Sequence, residues 1–156
     1  MDSLRDRLLR LGATHVVTDE DLRKKDVMEN VFKAIPKPKL ALNCVGGKIA
    51  TDCMRYLSFR GVMVTYGGMS RQPLTIPTGS LIFKDQKFFG FWMTRWNQEN
   101  SRSEGRTQML SALTDLIKRG KLEAPQTIAI SFDDFKEAID KSMAGFSDSK
   151  FVFVMK

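Results

Sequence analysis

An α/β protein built around a parallel sheet is the fold class that this sequence predicts. Strand-like apolar runs alternate with amphipathic helical stretches, and the connections between them are short, which is typical of right-handed crossover units. Two of the strand-like runs, "LNCVGG" and "VTYGG", end in glycine pairs at residues 42–47 and 64–68. A buried strand that runs into a glycine turn is typical of a sheet whose strand ends can approach a ligand.

The first half of the chain shows the clearest alternation. The stretch "DSLRDRLLRLGAT" predicts a helix that Gly12 ends, and "HVVT" predicts a short strand. A second helix follows and ends at Pro36, because proline cannot continue the hydrogen bonding of a helix. The run from Leu40 to Val45 is almost continuously apolar, which predicts a strand covered on both faces. A helix that Gly61 ends and the strand "VMVT" complete this part of the pattern.

The second half departs from this regularity before it returns to it. A loop with two prolines precedes a short apolar patch and the aromatic strand "FFGFWM". A long helix is predicted to begin at the capping-box pair Ser101 and Glu104 and to end at Gly120. The strand "TIAIS", the helix "FDDFKEAIDKSMAG" and the strand "KFVFVM" follow. The apolar stripe of the long helix is expected to face the core, and it consists of Met109, Leu110, Leu113, Leu116 and Ile117.

Composition indicates one globular protein that neither crosses nor docks on a membrane. The 156 residues are 42% hydrophobic, enough for a sizeable core, and no apolar run is long enough to cross a bilayer. Cys44 and Cys53 lie in apolar patterns, which favours two buried thiols over a disulfide. The lone histidine, His15, begins a predicted strand, and none of the common metal-binding, nucleophile or phosphate-loop motifs is present. We therefore expect no metal site.

The formal net charge of +7 is concentrated in the middle of the chain. Between residues 55 and 106, Lys and Arg outnumber Asp and Glu by five. Such a surface could attract phosphates, an acidic protein or nucleic acid, or it could be a solvated basic face. Nucleic-acid binding also requires exposed aromatics between the charges, which only "FGFWMTRW" offers, so no nucleic-acid partner is expected.

Seven segments resemble one known family in their order and spacing. They are "LGATHVVT", "LALNCVGGK", "MVTYGGM", "LIFKD", "GFWMTRW", "LIKRGKL" and "SKFVFVM". Together they resemble the mitochondrial trans-2-enoyl thioester reductases of the medium-chain dehydrogenase/reductase superfamily, over essentially the whole chain. The resemblance implies an NADPH-dependent enzyme that reduces the carbon-carbon double bond of 2-enoyl thioesters, carried on acyl carrier protein or coenzyme A, in mitochondrial fatty-acid synthesis. It also implies a homodimer for the full-length protein.

The resemblance implies a partial, doubly wound Rossmann-type parallel sheet. Residues 1–118 would form the second part of a dinucleotide-binding domain, and residues 119–156 would return to the catalytic domain of the family. Parallel sheets of this kind bind ligands at the carboxyl ends of their strands. Taken alone, the glycine pairs there could equally be simple turns.

The resemblance also assigns cofactor-binding residues. The residues expected beside the nicotinamide are Tyr66, Gly67, Gly68 and Met69, and those expected to turn their backbone to the carboxamide are Phe91, Trp92, Met93 and Thr94. Lys150 is expected to contact the cofactor. The residues expected near the nicotinamide ribose are Asn43, Val45 and Gly46.

The chain departs from the family pattern at its beginning. It starts about where the second Rossmann helix of the family starts, so the pyrophosphate loop, two strands and the catalytic tyrosine of the family are expected to be missing. Tyr66 is not that tyrosine, so we expect no catalytic residue here and no activity from this chain alone. In the family strand order 3-2-1-4-5-6, "HVVT" and "LALNCV" would be separated by two absent strands. The alternative function is a non-catalytic Rossmann module that pairs with a partner chain through this open edge.

Overall fold

The computed structural model describes residues 2–144 and 149–155, and these residues divide into two compact units between Glu99 and Asn100. We call them the first and the second unit. The first unit contains α1 (Asp2–Arg10), a 3-10 turn (Asp21–Arg23), α2 (Lys25–Ala34), β1 (Leu40–Asn43), α3 (Gly47–Met54), β2 (Val62–Thr65), α4 (Thr78–Ile82), β3 (Lys87–Gly90) and α5 (Met93–Glu99). The second unit contains α6 (Glu104–Lys118), β4 (Thr127–Ser131), a 3-10 turn (Phe132–Asp134), α7 (Phe135–Met143) and β5 (Lys150–Val154).

The first unit is organised by a parallel sheet in the order β1-β2-β3. Leu40 lies opposite Val62 in the first pair, and Val62 lies opposite Lys87 in the second. The three strands are therefore in step, and their carboxyl ends meet at one edge. The predicted α/β class with a parallel sheet is confirmed.

The core of the first unit lies under this sheet. Met54 and Leu57, at and after the end of α3, pack with Met63 of β2, and all three are almost fully buried. Burial of such side chains contributes about 1.5 to 3 kcal/mol each. Gln86 is also buried, and its amide nitrogen donates to the carbonyl oxygen of Leu57 at 3.0 Å. This bond anchors the start of β3 to the end of α3.

The second unit pairs β4 with β5 in parallel, with α7 between them in sequence. The ring of Phe132 stacks on that of Phe135, with centroids 5.9 Å apart, and meets Phe153 edge-on at 5.8 Å. Ala138 of α7 is buried. The three elements thus form a small crossover unit, as "TIAIS", the following helix and "KFVFVM" predict. Gly145, at the end of the predicted helix "FDDFKEAIDKSMAG", lies outside the described residues.

Two predictions about strands are wrong. "HVVT" is not a strand, because no described strand lies beside it to supply the hydrogen bonds that define a ladder. The run from Leu40 is a strand only to Asn43, and it is not covered on both faces. It is the edge strand of the described sheet, and Leu42 is 68% exposed.

The aromatic strand and three helix details also differ from the predictions. β3 ends at Gly90, and α5 begins at Met93 within the predicted strand. Ser103, not Ser101, caps α6 by accepting a hydrogen bond from the amide of Arg106. The helix predicted to end at Gly61 ends at Met54, and the left-handed residue before β2 is Arg60 (φ 58°) instead of Gly61. The predicted core stripe of α6 is largely exposed, and only Met109 among its five residues is less than exposed.

The remaining helical predictions are confirmed. α1 ends in a left-handed Gly12 (φ 103°), and α2 buries Met28 before the chain reaches Pro36. None of the described helices combines the length and the apolar character that a membrane span requires.

Candidate functional site

Asn43 ties together the turns at the carboxyl ends of β1 and β2. Its side chain is buried, and its oxygen accepts from the amides of Val45 at 3.1 Å and Gly46 at 3.0 Å. Its amide nitrogen donates to the hydroxyl of Thr65 at 3.1 Å. These bonds use most of the capacity of a primary amide, so Asn43 positions the turns from inside instead of facing a ligand.

The second turn approaches the first very closely at Gly67. A Cβ atom placed there would lie 2.8 Å from the carbonyl oxygen of Cys44, closer than any side chain tolerates. Only glycine fits at this position. The adjacent Gly68 has open space instead, with no heavy atom within 4 Å of a Cβ placed there.

The two turns are joined by further bonds. The amide of Tyr66 donates to the carbonyl of Asn43 at 2.9 Å, and the amide of Met69 donates to that of Cys44 at 3.2 Å. The Tyr66 ring is half exposed, and its hydrogen bond to the Cys44 side chain raises the pKa of the phenol above its usual value. Tyr66 is therefore a neutral side chain at physiological pH.

An open cleft of about 680 Å³ lies at the carboxyl ends of β2 and β3. This volume is within the range of small-molecule and cofactor sites. The cleft lies wholly in the first unit and has a floor of glycine backbone between aromatic and charged walls. Its lining residues are Thr65, Tyr66, Gly67, Gly68, Gly90, Phe91, Trp92, Arg95, Trp96 and Glu99.

Five of the predicted cofactor-binding residues line this cleft together: Tyr66, Gly67, Gly68, Phe91 and Trp92. Six others do not line it: Met69, Met93 and Thr94 follow lining residues in sequence, and Asn43, Val45 and Gly46 belong to β1 and the turn after it. Lys150 begins β5 in the second unit, where its amide donates to the carbonyl of Gln126 at 2.8 Å. The assignment of cofactor roles to these residues stays a prediction.

Sequence reasoning missed the charged wall of the cleft. Arg95 and Glu99 lie one helical turn apart on α5, with the Arg95 Nε atom 2.7 Å from the carboxylate of Glu99. Trp92, just before α5, and Trp96 share that face at the same spacing. The spacing of four residues was the available signal, and it was obscured by the prediction of a strand over part of this segment.

The cleft can hold a flat, polar ring better than it can hold a metal ion. Among the described residues the amides of Gly67 and Gly68 have no hydrogen-bond partner, and both residues line the cleft. Such amides can bind a carboxamide, and the aromatic walls can cover its ring. The described residues include no cluster of three or more His, Cys, Asp or Glu side chains that could ligate a metal.

A parallel sheet with a glycine-floored cleft at its carboxyl edge defines a protein of the dinucleotide-binding α/β class. The zinc-binding dehydrogenase family matches residues 2–114, and the chain belongs to this family. The resemblance to medium-chain dehydrogenase/reductases is thereby confirmed. Despite the family's description, the donor set in the described residues does not fit zinc, and we derive no chemistry from it.

The chain is similar over nearly all its length to curated mitochondrial enoyl-[acyl-carrier-protein] reductases. It is 46% identical to the protein of Xenopus tropicalis over 99% of this chain and 45% of that protein, and 44% identical to that of Homo sapiens over 99% and 41%. The chain therefore spans less than half the length of these relatives.

Solved structures show the same likeness. The complex of Etr1p with NADP and crotonyl-CoA matches with a TM-score of 0.84 and 33% identity, over 99% of this chain and 44% of that chain. The mitochondrial 2-enoyl thioester reductase Etr1p/Etr2p heterodimer from Candida tropicalis matches with a TM-score of 0.80 and 35% identity, over 92% and 42%.

Proposed function

We propose that this chain forms the nicotinamide-binding part of an NADPH-dependent 2-enoyl thioester reductase. The observation that carries the proposal is the cleft at the ends of β2 and β3, in a chain so similar to enoyl-[acyl-carrier-protein] reductases. The structure of Etr1p with NADP and crotonyl-CoA supports the choice of cofactor and substrate class.

The reaction adds a hydride to the β-carbon and a proton to the α-carbon of the enoyl thioester, and bound NADPH would supply the hydride. The free amides of Gly67 and Gly68 would hold the carboxamide and so orient the ring. The phenol of Tyr66 stays neutral because its pKa is raised, so it adds no negative charge beside the site. We assign no proton transfer to it.

The aromatic residues around the cleft would form part of the acyl pocket. Phe91, Trp92 and Trp96 line it, which suits an apolar chain. Phe88 packs instead against the core of the first unit, and Phe89 is 58% exposed. The better candidates for contact with substrate are therefore Phe91, Trp92 and Trp96.

The finer parts of the proposal follow the relatives. Their names place them in mitochondria and give the acyl carrier protein as the substrate carrier, whereas crotonyl-CoA occupies the Etr1p structure. We propose the same location for the protein that contains this chain, thioesters of either carrier as substrates, and assembly as a homodimer.

A chimera tests the proposal directly. The amino-terminal portion of the Xenopus tropicalis relative, up to the point where the similarity begins, would be joined to this chain. We expect the chimera to oxidise NADPH in the presence of crotonyl-CoA, and the 156-residue chain alone to give no rate above the blank, because positioning and polarisation of the substrate require both parts. Replacing Gly68 by Phe, which would fill the cleft, should abolish the chimera's rate without changing its thermal melt. A folded but inactive chimera would refute the proposal.

The second candidate is a non-catalytic module that pairs with another chain. The observation in its favour is the exposed edge strand β1, where Leu42 projects 68% exposed beside unpaired backbone groups. This function predicts that Leu42→Lys abolishes association with a partner in size-exclusion chromatography. A chimera that is active and needs no further chain would favour the reductase instead.

A further inference from the structure

A second groove lies near the amino ends of the strands, opposite the cleft at their carboxyl ends. Lys37 precedes β1 and Lys84 precedes β3, so both lie at the amino ends of strands whose carboxyl ends form the cleft. The groove has a volume of about 400 Å³ and is lined by residues of α2 and of the segments after α2 and α3. The lining residues are Lys25, Met28, Glu29, Phe32, Lys33, Lys37, Arg55 and Tyr56.

Hydrogen bonds fix the frame of this groove. The amide of Ser58 donates to the carbonyl of Pro38 at 2.9 Å, and the amide of Arg60 donates to that of Lys84 at 2.8 Å. The Lys84 ammonium in turn donates to the carbonyl of Arg55 at 2.8 Å. The segments that carry the cationic side chains are therefore held together before any ligand arrives.

The charges in the groove are not balanced. The one carboxylate in the lining, Glu29, lies 3.6 Å from Lys25 at the outer end. The carboxylate of Asp52 is shared between two cations, Arg23 at 3.1 Å and Arg55 at 3.4 Å. No carboxylate among the described residues pairs with Lys37, and Lys33 meets only the neutral side chain of Asn30.

Lys37 and Lys84 lie close enough to repel each other. Burial lowers the pKa of the Lys84 ammonium, and the positive charge of Lys37 lowers it further. The nearby carboxylate of Asp85 is already bound by Arg60 at 3.1 Å and Lys87 at 2.6 Å. A multivalent anion would relieve this repulsion, because it could meet several cations at once.

The floor of the groove is apolar. Met28 is buried there, and the rings of Phe32 and Tyr56 stack with centroids 5.4 Å apart. The Tyr56 hydroxyl donates to the carbonyl of Leu22 at 2.8 Å, which fixes its ring. A groove of this size suits a small molecule and is too small for a protein domain or a nucleic-acid duplex.

We propose that this groove binds a small anion with two or more adjacent phosphate groups, held by Lys33, Lys37 and Arg55 with Lys84 behind them. Its organic part, where it has one, rests on Phe32 and Tyr56. Inorganic polyphosphate and a nucleoside polyphosphate share this chemistry. The site is independent of the proposed nicotinamide cleft, since the two lie at opposite edges of the sheet.

Isothermal titration calorimetry on the 156-residue chain tests the proposal. Tripolyphosphate, ATP and sulfate would be titrated at low ionic strength. We expect tripolyphosphate and ATP to bind with one site and sulfate to bind far more weakly, and we expect added salt to weaken binding. If ATP binds more tightly than tripolyphosphate, the preferred ligand is a nucleotide. If the two affinities are equal, the phosphate chain is the recognised group.

Variants show where the anion binds. Lys33→Ala and Lys37→Ala, which remove two cations that line the groove, should each weaken tripolyphosphate binding by about tenfold, the typical loss of a hydrogen bond to a charged group. Lys136→Ala on α7 is the control, because it also removes one exposed positive charge. Equal losses in all three variants would reduce the effect to net charge and overturn the proposal, as would unchanged affinity in folded Lys33→Ala and Lys37→Ala variants. Loss of binding in Gly68→Phe would move the anion to the cleft and also overturn it.

Discussion

The first and second units have similar apolar patterns in sequence but differ in how many of their apolar side chains are buried. Six of the seven buried apolar residues of the described chain lie in the first unit, and the second has only Ala138. The stripe of α6 has the spacing of a core helix, yet Ile117 is 59% exposed. The difference teaches that periodicity specifies which face of a helix is apolar, while burial depends on whether a covering layer is present.

The largest expected effect is on stability and compares the two units directly. Met54→Ala removes a fully buried side chain from the first unit and should lower its unfolding free energy by about 2 to 5 kcal/mol. Leu113→Ala, on the exposed face of α6, should change the stability of the chain by less than about 1 kcal/mol. Both tryptophans, Trp92 and Trp96, are in the first unit, so urea titration followed by their fluorescence reports the first change. Far-ultraviolet circular dichroism reports the second, and equal losses would contradict the comparison.

Asn43 tests whether the order of the first unit extends to its loops. Asn43→Ala would leave the amides of Val45 and Gly46 without their acceptor, and should cost about 1 to 3 kcal/mol in urea unfolding. Asn43→Asp keeps an acceptor for both amides and should recover most of the loss. If the Asp variant is no more stable than the Ala variant, these amide bonds do not hold the turn.

The glycine pair offers a matched comparison within one turn. Gly67→Ala should destabilise the first unit by about 1 to 3 kcal/mol, because its methyl group collides with the Cys44 carbonyl. Gly68→Ala meets open space and should be nearly neutral in thermal melts. In the active chimera, Gly68→Ala should weaken NADPH binding without unfolding the protein. Relative to the stability lost, its effect on cofactor affinity should therefore be larger than that of Gly67→Ala. Two variants with identical melting temperatures would show that the close approach is not maintained.

Lys150 tests whether the second unit contributes to the cofactor site at all. In the chimera, Lys150→Ala should weaken NADPH binding by about 1 to 2 kcal/mol, the range for one hydrogen bond to a charged group. Fluorescence titration measures the dissociation constant, with Lys136→Ala as the control for net charge. An unchanged constant in a folded variant would confine the site to the first unit.

The smallest effect concerns pH. Hydrogen bonds from Lys87 and then Arg60 lower the pKa of Asp85 below its ordinary value of 3.8. Because the folded-state pKa is the lower one, this carboxylate stabilises the fold above 3.8 and the contribution disappears as pH falls through the folded value. Asp85→Asn should therefore melt slightly below the parent chain at pH 7 and together with it in strong acid. A gap that persists at low pH would indicate a cause other than charge.

Much of the fold could be predicted because its signals are local. β2, α2 and α7 are specified by short-range apolar spacing and by the residues that end them. The prediction for "HVVT" was wrong because a strand also requires a neighbour, which no local pattern reveals. The edge position of β1, and hence the exposure of Leu42, has the same origin.

The candidate site was predicted in part. The glycine pair at residues 67–68 marks a strand end, so the cleft floor could be located from sequence alone. The charged wall was missed because Arg95 and Glu99 lie side by side only if their segment is helical. The aromatic run before them favoured a strand instead. The basic groove could not be predicted at all, because Lys37, Arg55 and Lys84 are distant in sequence. Only the pairing of the strands brings them together.

The spacing of the strand pairs has a consequence for how the chain folds. Leu40 pairs with Val62, 22 residues on; Val62 pairs with Lys87, 25 residues on; and Thr127 pairs with Lys150, 23 residues on. Because loop-closure entropy grows only with the logarithm of loop length, these closures differ by about 0.1 kcal/mol. Chain closure therefore sets no order among the three pairings. We expect side-chain burial to decide the order of events, with nucleation around Met54 and Met63 in the first unit.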